Sequence, residues 1–180
     1  AVAGRPVARA AAGAPTGGAV VAADRLGRRY RQRVALADVS LAVDVGEMLA
    51  VVGADGAGKT TLLQMFAAIL DPTEGHATVL GHDTVRDAAE VTARIGYMSQ
   101  GFTLYERLSV AENIAFAAAV RDVDTHTLAA RRPALLKMAG LESFLERRAQ
   151  HLSGGMRKKL ALCTNLVHAP RVLLLDEPSL

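Results

Sequence analysis

The run Gly53-Ala54-Asp55-Gly56-Ala57-Gly58-Lys59-Thr60-Thr61 constrains this chain more than any other stretch. It fits the spacing G-x-x-x-x-G-K-[ST], a loop whose backbone N–H groups converge on a phosphate. Side chains at Gly53, Gly56 and Gly58 are expected to block that approach or to forbid the backbone angles it needs. A helix opening near Gly58 adds the positive end of its dipole to the anion site. In such a loop Lys59 reaches the β- and γ-phosphates, the Thr60 hydroxyl is placed for Mg2+, and Thr61 adds a further phosphate contact. The flanks agree with this reading. Met48 to Val52 is an apolar run of strand length, and Leu62 to Leu70 reads as helix closed by Asp71-Pro72. Strand, loop, helix is the context the motif demands, and it sets the fold class as α/β.

Two further motifs follow in order. Val172 to Leu175 are four consecutive apolar residues, the pattern of a parallel strand buried on both faces. Asp176 and Glu177 stand at its carboxyl end, where ligands bind in open α/β sheets. An Asp there can enter a magnesium shell, and an adjacent Glu can orient or deprotonate an attacking water. A strand end with two solvated acids has the same sequence. Leu152-Ser153-Gly154-Gly155 precedes a helix-like stretch from Met156 to about His168. Ser153 is a suitable N-cap, and the glycines leave N–H groups open for an anion, although an ordinary capped helix has the same pattern.

Taken together, these motifs resemble the nucleotide-binding domain of ATP-binding cassette (ABC) proteins, from about Val20 to Leu180. The resemblance implies a P-loop NTPase (RecA-like) core, an antiparallel β subdomain and an inserted helical subdomain spanning about 104–168. It implies ATP and Mg2+ as ligands. Nucleotide contacts would come from Tyr30, Gly53, Ala54, Asp55, Gly56, Ala57, Gly58, Lys59, Thr60 and Thr61. Ser153, Gly154 and Gly155 would contact the γ-phosphate of ATP held by a partner domain. Thr60, Gln100 and Asp176 would hold the metal, and Glu177, Lys59 and Gln100 would be catalytic. Tyr30, in Arg29-Tyr30-Arg31, resembles the aromatic that stacks on adenine; an ordinary strand-edge tyrosine is the plainer alternative. Gln100, after a strand read from Arg94 to Met98, resembles the Q-loop glutamine; its plainer alternative is a surface amide.

The stretch Gln100 to Ile114 is similar to drug-efflux and ABC-2-type exporter ATPases, and Asp55 and Met156 point the same way. Most family members carry Gln where Met156 stands; Met keeps the length and helix propensity. The partners so implied are a second ABC domain, in a homodimer or a tandem cassette, and a transmembrane permease subunit. The location implied is the cytoplasmic face of a membrane, held there through that partner. Two alternatives stand beside this reading: a chain that binds nucleotide without hydrolysing it, and a non-transporter ABC ATPase acting on ribosomes.

The rest of the chain is consistent with one globular domain over residues 19–180. No apolar run reaches the roughly 18 residues of a membrane-spanning helix. Residues 1–18 are Ala, Gly, Arg, Pro and Val with one Thr, and read as a disordered tail or linker. Their acid-poor, Arg-bearing composition also resembles a transit peptide, though serine is absent. Strands are predicted at Val20 to Ala23, Val39 to Val43 and Ala77 to Leu80; short helices at Ala130 to Ala139 and Leu141 to Arg148; and a capping box at Ser109 and Glu112. The net charge of +3 includes Arg147, Arg148, Arg157, Lys158 and Lys159, read as a solvated face near an anionic nucleotide. With aromatic content at 4%, a base-stacking platform for nucleic acid is not expected. Cys163 is the single cysteine and falls in an apolar helix, as a small core residue does. In the ABC family a D-loop and a switch histidine follow Glu177. Ser179-Leu180 is read as the start of that loop, and the chain as a cassette whose C-terminal part is missing.

Overall fold

The structure, a computed structural model, describes residues 18–31, 33–101 and 104–177. The tail expected over residues 1–18 lies, apart from Gly18, outside the described residues, as do Ser179 and Leu180. The chain divides into two compact units, residues 1–92 and 93–180.

The first unit is built on an antiparallel sheet. Strands β1 (Val21–Tyr30), β2 (Arg33–Val43), β3 (Glu74–Val79) and β4 (His82–Asp83) lie in the order β2-β1-β3-β4. The first two are longer than the short apolar runs predicted for them. Their polar halves are held in the ladder by pairing across the hairpin, from Val21 opposite Val43 to Tyr30 opposite Arg33. Register shifts interrupt the alternation there, and Arg25 and Asp38 take left-handed backbone angles. Apolar side chains at Val21, Ala23, Leu26, Leu36, Leu41, Ala77 and Val79 form the buried face. Helix α1 (Lys59–Phe66) adds Leu62, Met65 and Phe66 to the buried residues. It stops at Ala67, with Ala68 in a left-handed turn, rather than running on to Asp71-Pro72.

The strand expected at 48–52 is absent: this segment is irregular, with Met48 95% and Val52 79% exposed. A strand is held by hydrogen bonds along its edges, and among the described residues no strand pairs with this one. The apolar run is strand-like in composition, but composition alone supplies no ladder.

Helix α2 (Ala88–Arg94) leads to strand β5 (Ile95–Met98), which pairs in parallel with β6 (Val172–Leu175). Strand β6 has the predicted bounds, but Leu173 is 37% exposed, so the strand is not buried on both faces as expected. Between these strands stand α3 (Val110–Val120), α4 (Thr125–Ala139) and α5 (Gly154–Leu166). Val110, Ile114 and Ala118 repeat every four residues on α3 and meet Leu136, Ala139, Leu160, Cys163 and Val167 in one buried cluster. The capping box forms as predicted. The Ser109 hydroxyl accepts from Glu112 N–H at 3.2 Å, and the Glu112 carboxylate accepts from Ser109 N–H at 2.7 Å. The backbone N–H of Ser109, and after it the Ser109 hydroxyl, hold the Glu112 carboxyl below its ordinary range. The helix predicted at 130–139 begins earlier, at Thr125, because Asp124 caps it, and Gly140 ends it with φ 64°. The helix predicted from Leu141 to Arg148 is reduced to a single tight turn at Glu142–Phe144.

Candidate functional site

In the first unit, the site grows from the turn that opens α1. Gly56 and Gly58 take φ of 74° and 92°, the left-handed region that Cβ-bearing residues avoid. A Cβ on Gly58 would lie 2.4 Å from the Ala35 carbonyl oxygen. Gly53 is different: a Cβ there would meet only the Ala57 Cβ, at 3.4 Å. The backbone angles thus call for glycine at Gly56 and Gly58, and at Gly53 the protein itself leaves room for a Cβ. At Gly58 the neighbour is β2, which lays Ala35 against the loop; at Gly56 only Arg33 Nη2 comes near a built Cβ, at an ordinary 3.9 Å, and the backbone angle alone favours glycine. Tyr30 pairs with Arg33 across the hairpin.

Lys59 curls over its own loop. Its Nζ donates to the carbonyls of Gly53 at 2.9 Å and Ala54 at 3.0 Å, with the Asp55 carboxylate 3.9 Å away. These bonds close the turn into a ring with the ammonium at its centre. Residues 53–56 are exposed, so the ring faces solvent. A cation, a helix N-terminus and glycine-freed N–H groups in one turn make an anion cradle. Tyr30 is 43% exposed, and Arg28 lies over its ring at 4.8 Å from the centroid. Arg28 was not singled out from the sequence; its position two residues from Tyr30, on the same strand face, was the available signal.

In the second unit, the parallel pair β5–β6 brings Gln100 and Glu177 together. Gln100 Nε2 donates to Glu177 Oε2 at 2.8 Å, across 77 residues of sequence. Asp176 is 3% exposed, its N–H donates to the Met98 carbonyl at 2.9 Å, and its Oδ2 has no partner among the described residues. A buried carboxylate oxygen without a donor is costly unless a cation or water meets it. Such an oxygen is of the hard kind that a divalent cation takes as a ligand.

Ser153 caps α5, its hydroxyl accepting from Met156 N–H at 3.3 Å. Built Cβ atoms on Gly154 and Gly155 meet nothing within 4 Å, so the space beside the first turn of this 13-residue helix is open. The Met156 side chain packs on the helical cluster. Of the basic residues nearby, Arg157 Nη1 lies 3.9 Å from Glu106, and Arg147 stacks on Phe144 at 4.6 Å. Asn113, one residue of a longer stretch in the sequence reading, proves structural: it is 2% exposed and ties down the segment between Tyr105 and Ser109 through four hydrogen bonds.

The model of the family described as ABC transporter matches residues 36–180. The chain belongs to the ABC transporter family. Among curated family members it is 41% identical over 146 residues to the ABC transporter ATP-binding protein NatA of Bacillus subtilis, covering 81% of this chain and 59% of NatA. It is 41% identical over 162 residues to the probable multidrug ABC transporter ATP-binding protein YbhF of Escherichia coli, covering 89% of this chain and 28% of YbhF. An importer is also similar: the sulfate/thiosulfate import ATP-binding protein CysA of Gloeobacter violaceus, 36% identical over 155 residues, covering 86% of this chain and 45% of CysA. The chain thus spans between about a quarter and three fifths of these relatives' lengths. A solved ATP binding subunit of an ABC transporter matches with TM-score 0.81 and 28% identity, over 89% of this chain and 67% of that one. The fold is therefore that of the P-loop ABC ATPase domains. Among the described residues no helix is long and apolar enough to cross a membrane.

Proposed function

We propose that this chain is the ATP-binding and ATP-hydrolysing part of an ABC transporter that powers export, of the drug-efflux or ABC-2 type. The observation that carries the hydrolytic part is the Gln100–Glu177 hydrogen bond beside the buried, unpartnered Asp176 oxygen. The export direction is supported by the Gln100 to Ile114 stretch and by 41% identity to a protein named for multidrug transport, against 36% to a sulfate importer. We assign residues 19–180 to the ATP-binding domain and about 104–168 to its helical subdomain.

In this reading Gly53 to Thr61 cradle the phosphates, and Lys59 exchanges its two carbonyl acceptors for phosphate oxygens. Tyr30 offers its open ring face to the adenine while Arg28 covers the other. Thr60, Gln100 and Asp176 are the residues that would hold Mg2+, which when bound neutralises charge on the phosphates. Glu177 takes the proton of an attacking water, and Gln100 holds the carboxylate in place. Ser153, Gly154 and Gly155 present their N–H groups and hydroxyl to a nucleotide carried by a second ABC domain. A transmembrane permease would receive the motion and place the chain at the cytoplasmic face of a membrane.

The test is Glu177→Gln in the full-length protein. ATP binding is expected to persist, while turnover falls by at least about a hundredfold, the usual contribution of a positioned base. Wild-type turnover in that variant would remove Glu177 from the mechanism.

A further inference from the structure

Helix α5 connects the two functional ends of the second unit. Its N-terminus is the Ser153-Gly154-Gly155 turn, and its far end runs through Val167 to His168. There the imidazole reaches back to the strand pair. Its Nε2 lies 3.0 Å from the carbonyl oxygen of Ile95, the first residue of β5 and 73 positions earlier in sequence. A carbonyl only accepts, so Nε2 carries the proton and Nδ1 is the bare nitrogen. Nδ1 is buried and has no partner among the described residues. The same corner is tightly packed. A Cβ on Gly96 would fall 2.8 Å from the Asn165 carbonyl of α5 and 3.2 Å from Pro170 Cγ. Arg171 N–H also donates to the Arg94 carbonyl at 2.9 Å.

From this corner β5 leads directly to Gln100, and its partner β6 leads to Asp176 and Glu177. We propose that His168 is a positioning residue: its Nε2–H bond to the Ile95 carbonyl latches the helix carrying Ser153-Gly154-Gly155 to the strand pair carrying Gln100, Asp176 and Glu177, and protonation of the ring releases the latch. This rests on the ATPase reading above.

The lever is long. Thirteen residues of helix span about 20 Å, so a tilt of about 3° at the latch moves the Ser153 end by about 1 Å. A displacement of that size can cost about a hundredfold in a reaction that depends on placement. Protonation keeps the Nε2–H bond itself, so release would come from the rest of the ring's surroundings: Nδ1–H would be a buried donor with no acceptor among the described residues, on a charged ring out of water and beside two cations. The charged groups that act on the ring are Arg121 at the end of α3 and Arg131 on α4, both cations, and Arg131 is fixed by donating to the Val167 carbonyl at 3.0 Å. Burial, chiefly, already holds this imidazole below its ordinary range, so the neutral ring is the resident form at neutral pH.

The experiment measures ATP turnover by the full-length protein between pH 5.5 and 7.5, for wild type, His168→Gln and His168→Leu. Gln keeps an N–H donor for Ile95 and cannot be protonated; Leu removes the donor. For wild type, kcat is expected to fall several-fold on acidification with KM for ATP changed less than about twofold. The Gln variant should keep kcat within about twofold at pH 7.5 and lose that acid-dependent fall; the Leu variant should lose about five- to tenfold in kcat at pH 7.5. An acid profile in the Gln variant identical to that of wild type overturns the proposal, as does unchanged kcat in the Leu variant. Should Leu prevent folding, the Gln profile decides alone. Absence of any wild-type turnover would instead overturn the ATPase reading.

Discussion

Two glycines of the phosphate loop look alike in sequence and differ in what surrounds them. Gly58→Ala places a Cβ on a left-handed residue, a cost of about 1–2 kcal/mol in itself, and drives it against the Ala35 carbonyl. The expected outcome is a chain destabilised by at least about 2 kcal/mol that no longer retains a fluorescent ATP analogue. Gly53→Ala should leave stability within about 0.5 kcal/mol of wild type, because its Cβ meets only a methyl group at ordinary contact distance. Parallel denaturation and nucleotide titrations of the two variants check this; equal damage in both would contradict the assignment of strain. The motif's spacing names both residues, but only the position of Ala35, on a strand that precedes the loop, separates them. Lys59, Asp176 and Glu177 could be named as candidates because each is tied to a short motif. The bond between Gln100 and Glu177 and the one between His168 and Ile95 were not legible, because 77 and 73 residues separate the partners.

At the scale of elements, legibility followed the locality of the cause. The capping box at Ser109 and Glu112, the start of α1 and the bounds of β6 are written in a few adjacent residues, and the structure has them where the sequence put them. The segment 48–52 reads equally well as a strand, yet pairing is a property of a partner and not of the run itself. Strands β1 and β2 grew beyond their apolar cores for the converse reason: each supplied the other's ladder. Asn113 shows how one side chain fixes an irregular segment. Its Oδ1 accepts from Tyr105 N–H at 2.9 Å, and its Nδ2 donates to the carbonyls of Tyr105, Leu108 and Ser109 at 3.1, 3.1 and 2.9 Å. The three carbonyls also accept from the backbone N–H groups of Leu108, Ala149 and Asn113, so Asn113→Ala leaves only the Tyr105 N–H without its acceptor and should cost about 1–3 kcal/mol in urea denaturation. A loss under about 0.5 kcal/mol would mean that water replaces the amide without penalty.

For the molecule as a whole, Cys163 is a built-in reporter. It is fully buried in the helical cluster, donates to the Leu135 carbonyl at 3.4 Å, and burial pushes its thiol up to about 11. At pH 8 a thiol-specific disulfide reagent should therefore label the native chain only as fast as the helical cluster opens, and label it at once in denaturant. Immediate labelling of the native chain would show that the cluster around α3, α4 and α5 does not close over the sulfur. The sign of the linkage is also fixed. Because the folded thiol holds its proton to higher pH than the unfolded thiol, near 9.0, this group's contribution to stability is intact below pH 9 and is lost as pH rises above it.

The ring that Lys59 makes with the carbonyls of Gly53 and Ala54 has a thermodynamic corollary. Under the proposed function, a phosphate that enters the loop would take the ammonium from two acceptors it already has, so the event would be an exchange of hydrogen bonds rather than a gain of new ones. The enthalpy released per contact is then smaller than the charge pairing suggests, while the loop, already wound around its cation, loses little freedom on capture. In that reading the two carbonyls are stand-ins for phosphate oxygens: they hold the ammonium over the loop until a stronger acceptor arrives.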